Sequence, residues 1–340
     1  MDLEIESAID SEYENFVNNI NNCTVFHSKK FLTFLESTLN ESAKILTYKK
    51  NGEIQGVMPF FEKKNKAGLV INSLPFFGSY GGVLSDKKIV KKTILEYFNE
   101  YAKSKESLST VIISNPFEKN EDYNLFSKYD IIEKRFTQYT DLSGHTEQDL
   151  FQNFEKRTRG AIKKAEKNNV TTTIENDNLN HFETFYNFYK NSATKKNIKI
   201  KPETIFSNIS KNFESSKDFN IFVSWYDKKP IAYVLIFYHK HFAEYYIPAF
   251  DERFQNLQPI SKTIWEAIKN AIKRKIKIFN FGGTPNKEST LYLFKRGWKS
   301  QDLEYSYFIN RDLERLKDIG INKIKENFDN FFVIPYHELE

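Results

Sequence analysis

The chain has a single cysteine, Cys23, among 340 residues. That excludes a disulfide framework and any metal site built on several thiolates. Glycine (12) and proline (9) are scarce, so no Gly/Pro-rich linker divides the sequence. Long apolar runs are missing too. The longest, Ile231–Tyr238, is far short of the ~20 residues a membrane-spanning helix needs, and no integral membrane segment is expected. The opening residues, MDLEIESAID, are acidic and lack a signal-peptide pattern; with the lone thiol they read as a cytoplasmic protein. Neither sign of charge dominates. Fifty Lys and Arg face 45 Asp and Glu, and the net +5 permits an anionic partner without requiring one.

Aromatic residues are plentiful: 32 Phe and 19 Tyr within a 40% apolar composition. Such a chain can bury a sizeable core, which excludes global disorder. Two halves repeat one order of signals. In the first, Ile45–Tyr48 and Ile54–Phe61 flank Asn51-Gly52, a strong hairpin signal. In the second, Ile221–Tyr226 and Ile231–Tyr238 flank Asp227-Lys228-Lys229-Pro230. A helical segment follows each hairpin, Lys87–Tyr101 and Gln258–Arg274, and each leads to a buried strand ending in a Pro turn, at Pro116 and at Pro285. This order predicts a tandem duplication of one α+β unit, with mixed, largely antiparallel sheets flanked by helices. The expected divisions are 1–143, 144–310 and a helical tail at 311–340. Between Phe151 and Asn168 one helix is expected, and another over Leu313–Phe328.

Several motifs bear chemistry. Glu155–Lys167 holds six cations and two acids, and Arg159 and Lys163 share a helix face. A phosphate contact and a solvated helix face both fit that pattern. Lys195 and Lys196 close a helix whose aromatics recur at helical spacing, where the macrodipole alone favours cations. His239 and His241 could face one side of a strand, but no third ligand accompanies them, so no metal is expected. Gly78-Ser79-Tyr80-Gly81-Gly82 fits a tight loop, being neither a Walker loop nor a dinucleotide fingerprint. Gly282 and Gly283 permit a sharp turn or a close backbone approach to a ligand. Just beyond them Lys295 lies between Phe294 and Trp298, and an ammonium in a partly dry site stabilises a developing oxyanion.

Two of these stretches resemble a known family. Lys156-Arg157-Thr158-Arg159-Gly160-Ala161-Ile162-Lys163-Lys164-Ala165-Glu166-Lys167 is similar to a basic run of the FemAB-like transferases. Phe279-Asn280-Phe281-Gly282-Gly283 with Phe294-Lys295-Arg296-Gly297-Trp298 resembles their C-terminal ending. The resemblance implies tandem GNAT-like (N-acetyltransferase-like) domains and transfer of an activated acyl group, from aminoacyl-tRNA or acyl-CoA, to an amine of a peptidoglycan or polysaccharide precursor. No resident cofactor is implied. The acceptor would be a phosphorylated small molecule or lipid-linked precursor, with tRNA a further partner; the oligomeric state is not readable. By this likeness Lys295 would polarise the donor carbonyl beside Phe294. Arg159, Lys163 and Lys195 would hold phosphate, and Tyr245, Tyr246, Gly282 and Gly283 would line the cleft. Asn280 stands where the family usually has Asp, and no general base is evident. A rival reading makes the basic helix a non-catalytic RNA- or anionic-surface-binding module.

Overall fold

Two pairs of residues in the left-handed region turn the hairpins that the sequence announces. Asn51 (φ 55°) and Gly52 (φ 79°) join the first, Asp227 (φ 47°) and Lys228 (φ 61°) the second. Both central residues with positive φ define the turn whose twist matches that of paired strands. The computed structural model describes residues 2–7, 9–75, 80–118, 121–176, 179–196, 198–284 and 286–339. Its strands are β1 (Asp2–Glu6), β2 (Ala43–Lys50), β3 (Glu53–Asn65), β4 (Gly68–Asn72), β5 (Ser109–Ile113), β6 (Ile131–Asp141), β7 (Thr171–Ile174), β8 (Phe219–Tyr226), β9 (Lys229–His239), β10 (Phe242–Phe250), β11 (Ile278–Thr284) and β12 (Gln301–Arg311).

The chain forms two compact units, Met1–Arg135 with Glu304–Glu340, and Phe136–Leu303. In the first the strand order is β1-β2-β3-β4-β5-β12; in the second it is β7-β8-β9-β10-β11-β6. These are the same path. The fourth and fifth strands pair in parallel in each, β4 with β5 and β10 with β11, and their other pairings are antiparallel. The last strands are exchanged, because β6 follows β5 in sequence but pairs with β11, while β12 follows β11 but pairs with β5. This exchange is why the compact units differ from the divisions 1–143, 144–310 and 311–340 expected from sequence order.

In the first unit the Lys88–Ser104 helix buries Val90, Ile94, Leu95 and Phe98 in a core with Leu46, Met58 and Phe60. In the second, the Pro259–Lys273 helix lays Ile264, Trp265, Ala267 and Ile268 on Val234, Ile236, Phe279 and Phe281. The opposite sheet face meets the Leu179–Lys195 helix, with Phe185 stacked on Tyr233 at 4.9 Å. Alternation along β9 fixes that division.

Two expected helices are each broken. Glu147–Asn153 and Lys156–Lys167 replace one helix because the backbone turns extended at Phe154 (ψ 152°), which drops its ring onto Trp265 and Trp298. Leu313–Ile319 and Ile321–Asn327 are divided by Gly320 at φ 79°. No helix among the described residues is long and apolar enough to cross a membrane.

Candidate active site

Strands β10 and β11 run parallel for only three residue pairs, Phe242–Ile278, Ala243–Phe279 and Glu244–Asn280. Each is irregular just beyond, with a register shift between Tyr245 and Ile247 on β10 and between Asn280 and Gly283 on β11. No ladder pair joins them past Glu244 and Asn280. The strands therefore part, leaving backbone groups available to a ligand between them.

Glu244 sits at the apex and is 2% exposed. Its cross-strand neighbour is Phe237, which places the carboxyl on the aromatic face with Phe213 and Tyr246. Asn280 Nδ2 donates to Glu244 Oε2 at 2.6 Å, and Glu244 Oε1 has no hydrogen-bond partner. Burial pushes this carboxyl up to about 8, against a smaller opposing effect of the Asn280 bond. Asn280 is itself oriented, since its Oδ1 accepts from Thr137 Oγ1 (2.8 Å) and from the Gly282 N–H (3.1 Å). A neutral amide can donate to the carboxylate, which an aspartate at this position could not do when ionised.

Lys295 approaches the same strand from the Thr290–Arg296 helix, whose start is capped by the Ser289 side chain. It is 3% exposed, and its ammonium donates to Gly282 O (2.9 Å), Gly283 O (2.9 Å) and Thr284 Oγ1 (3.0 Å). Burial without a carboxylate partner lowers its pKa to about 7. Phe294 packs half-buried against the core beside Trp298, and Tyr245 meets Phe281 at 5.7 Å. Gly282 takes φ 74°, which its lack of Cβ permits.

The structure thus brings together Lys295, Phe294, Tyr245, Gly282 and Gly283. It disperses the cations expected to bind phosphate. Arg159 caps the preceding helix by donating to the Gln152 and Phe154 carbonyls. Lys163 is exposed and lies 5.9 Å from the Phe151 ring. Lys195 is ion-paired with Glu252. Tyr246 lies on the Glu244 face, where Lys201 stands 5.4 Å from its ring; burial lowers Lys201 to about 7. The His241 ring lies 4.2 Å from that of Phe242 in a tilted arrangement, and among the described residues no three His, Cys, Asp or Glu side chains gather as a metal site. Gly78, Ser79, Asn197 and Pro285 lie outside the described residues.

Sequence reasoning missed Glu244 and Lys201. The available signal for Glu244 was one acid inside an otherwise apolar strand, FAEYYIPAF. A buried acid without a cation is rare enough to mark a site.

Among the described residues the first unit has no such site. Asn72, paired with Val111, holds the place that Glu244 holds against Asn280. Its side chain makes two 2.8 Å bonds to the backbone of Phe332. Beyond it the Ser73 and Gly81 N–H groups bond the Val111 and Ile113 carbonyls, so this edge of β5 is closed by the unit's own backbone.

The comparisons with known proteins bear on the fold that holds this wedge and its buried acid. Residues 152–300 match the family of acetyltransferase (GNAT) domains. Residues 152–300 are thus a GNAT-type acetyltransferase domain, and the chain as a whole shares its fold with FemX. The structure of FemX superposes with a TM-score of 0.69 at 16% identity, over 90% of this chain and 97% of FemX. A tandem GNAT protein from the clavulanic acid biosynthesis pathway gives 0.55 at 7% identity, over 91% and 98%. The C-terminal domain of an Agrobacterium fabrum protein assigned as a lysylphosphatidylglycerol synthetase gives 0.59 at 11%, over 94% and 98%. No curated protein sequence matches the chain. The expected α+β architecture of tandem GNAT-like domains is therefore the observed one.

Proposed function

We propose that this acyltransferase moves an activated acyl or aminoacyl group onto an amine of a cell-envelope precursor, in the wedge between β10 and β11. The observation that carries the reading is Glu244, a buried carboxyl with one bonded and one open oxygen where the strands part. Its raised pKa suits a base working near neutral pH. The acceptor arrives as an ammonium and gives a proton to Glu244. The free amine attacks the acyl carbon, and the oxygen of the tetrahedral intermediate is met by backbone N–H groups on the open edge of β10. The acyl–oxygen bond of an aminoacyl ester, or the acyl–sulfur bond of a thioester, then breaks. Glu244 returns its proton to the departing oxygen or sulfur, the nitrogen gives its second proton to solvent, and a neutral amide is left. Phe294 and Tyr245 help keep water from the acyl group.

Support for an envelope acceptor comes from the FemAB-like motifs and from the fold shared with a protein assigned to join an amino acid to a lipid. A lipid-linked, phosphorylated acceptor and an aminoacyl-tRNA or acyl-CoA donor both belong to this reading. The test offers purified protein separate pools of acyl-CoAs and aminoacyl-tRNAs with amine-bearing envelope precursors, and follows amide formation by mass spectrometry. Transfer that Glu244→Gln lowers by about 10²-fold or more supports it. Transfer undiminished in that variant refutes the role of Glu244. Salt-sensitive RNA or vesicle binding with no transfer from any donor favours the binding-module reading instead.

A further inference from the structure

The FemAB-like motif leads one to expect an electrophilic Lys295, with its ammonium pointed at the donor carbonyl. The geometry points elsewhere: we infer that Lys295 is a positioning residue, a strut that fixes the parted end of β11 and, through it, the side chain that serves Glu244. This inference rests on the site proposed above but concerns a different residue and a different act.

An ammonium has three N–H bonds, and Lys295 directs all three at one strand end, to Gly282 O, Gly283 O and Thr284 Oγ1 at 2.9–3.0 Å. None is left for an acyl oxygen without breaking a buried bond. These acceptors matter because β11 is irregular here. Two successive glycines, one at φ 74°, impose no conformation of their own, and the partner β10 has already parted from the strand. β6 still pairs Gly283 and Thr284 on one side, and Lys295 supplies on the other the restraint that β10 no longer gives. Thr284 is held in turn, its hydroxyl lying 3.3 Å from Gln138 Oε1.

The consequence runs back along the strand. Lys295 fixes the Gly282 peptide by its carbonyl. The N–H of the same residue is bonded to Asn280 Oδ1, and Asn280 Nδ2 is bonded to Glu244 Oε2. Glu244, Asn280, Gly282 and Lys295 form one continuous hydrogen-bonded line. The closed first unit needs no such line, because Ser73 and Gly81 bond the edge of its β5 directly.

The test reads the carboxyl rather than turnover, so its failure and the failure of the transferase reading are separable. Protein labelled with ¹³C at glutamate carboxyls is titrated by NMR, with Glu244 assigned by its loss in Glu244→Gln. Lys295→Met keeps chain length without the three bonds. Lys295→Arg keeps the charge but cannot fit the same cage. Thermal melting confirms that each variant is folded. Freeing Gly282 loosens Asn280, whose bond favours the ionised carboxylate, so the Glu244 midpoint should rise by about half a pH unit or more in both variants. Thr284→Val, which removes one acceptor only, should move it less. A wild-type midpoint in Lys295→Arg with a raised one in Lys295→Met would show that only the charge of Lys295 matters, and would overturn the strut. An unmoved midpoint in both would overturn it as well.

Discussion

Glu244 makes the sharpest residue-scale demand on the protein. Its folded pKa, about 8, is raised from an ordinary 4.5, so the folded state holds this proton more tightly than the unfolded chain does. Stability is then fully retained below the unfolded value and falls as pH climbs from about 4.5 to about 8. Each tenfold difference in proton affinity between the two states corresponds to about 1.4 kcal/mol, so Glu244→Gln should stabilise the protein by a few kcal/mol at pH 8.5 and little at pH 4.5. Chemical denaturation of both proteins at the two pH values checks this. Equal differences at both would show that the buried carboxyl is not the cause. In turnover the same group should appear as activity rising with pH toward a plateau above about 8.

At the scale of elements, the site depends on how closely the Lys156–Lys167 and Thr290–Arg296 helices approach. Gly297 permits it: a Cβ there would lie 2.4 Å from Thr158 Oγ1, and the Glu155 N–H bonds the Gly297 carbonyl at 2.9 Å. Gly297→Ala should force these helices apart and cost about 1–3 kcal/mol by overpacking. It should also displace Lys295, two residues earlier. A melting temperature within a degree of the parent would contradict this account. The basic helix reads differently once its neighbours are in place. Arg159 caps the helix before it, while Lys163 remains exposed, so residues on one helical face do different work.

For the whole molecule, the exchanged last strands make neither half self-sufficient. A fragment of residues 1–143 retains β5 without β12 and exposes an apolar strand edge. It should be aggregation-prone or unfolded by circular dichroism and gel filtration; a monomeric, cooperatively melting fragment would refute this. The C-terminal residues matter within the first unit for a related reason. Asn72 and Ser109, both fully buried, bond the backbone of Phe332 and Val333. Deleting residues 331–340 strands both polar groups and should lower the melting temperature, while a second-unit site such as Glu244 should keep its titration.

The sequence by itself determined much of this protein. The hairpins at Asn51-Gly52 and Asp227-Lys228, the helices near 88–104 and 259–273 and the repeated order of elements are local, written in turn residues and periodicity. Lys295, Gly282 and Gly283 were also legible as one neighbourhood, because Lys295 lies in the short helix that follows them. Glu244 and Asn280 were not joined by any local signal. They are 36 residues apart and meet only because β10 and β11 pair in parallel, and only their burial raises the carboxyl. The exchange of β6 and β12 was hidden for the same reason, since strand pairing is a non-local choice that neighbouring residues do not record. Lys295 shows the division within one residue: sequence placed it beside the glycines, and the tertiary fold turned its three N–H bonds onto their backbone.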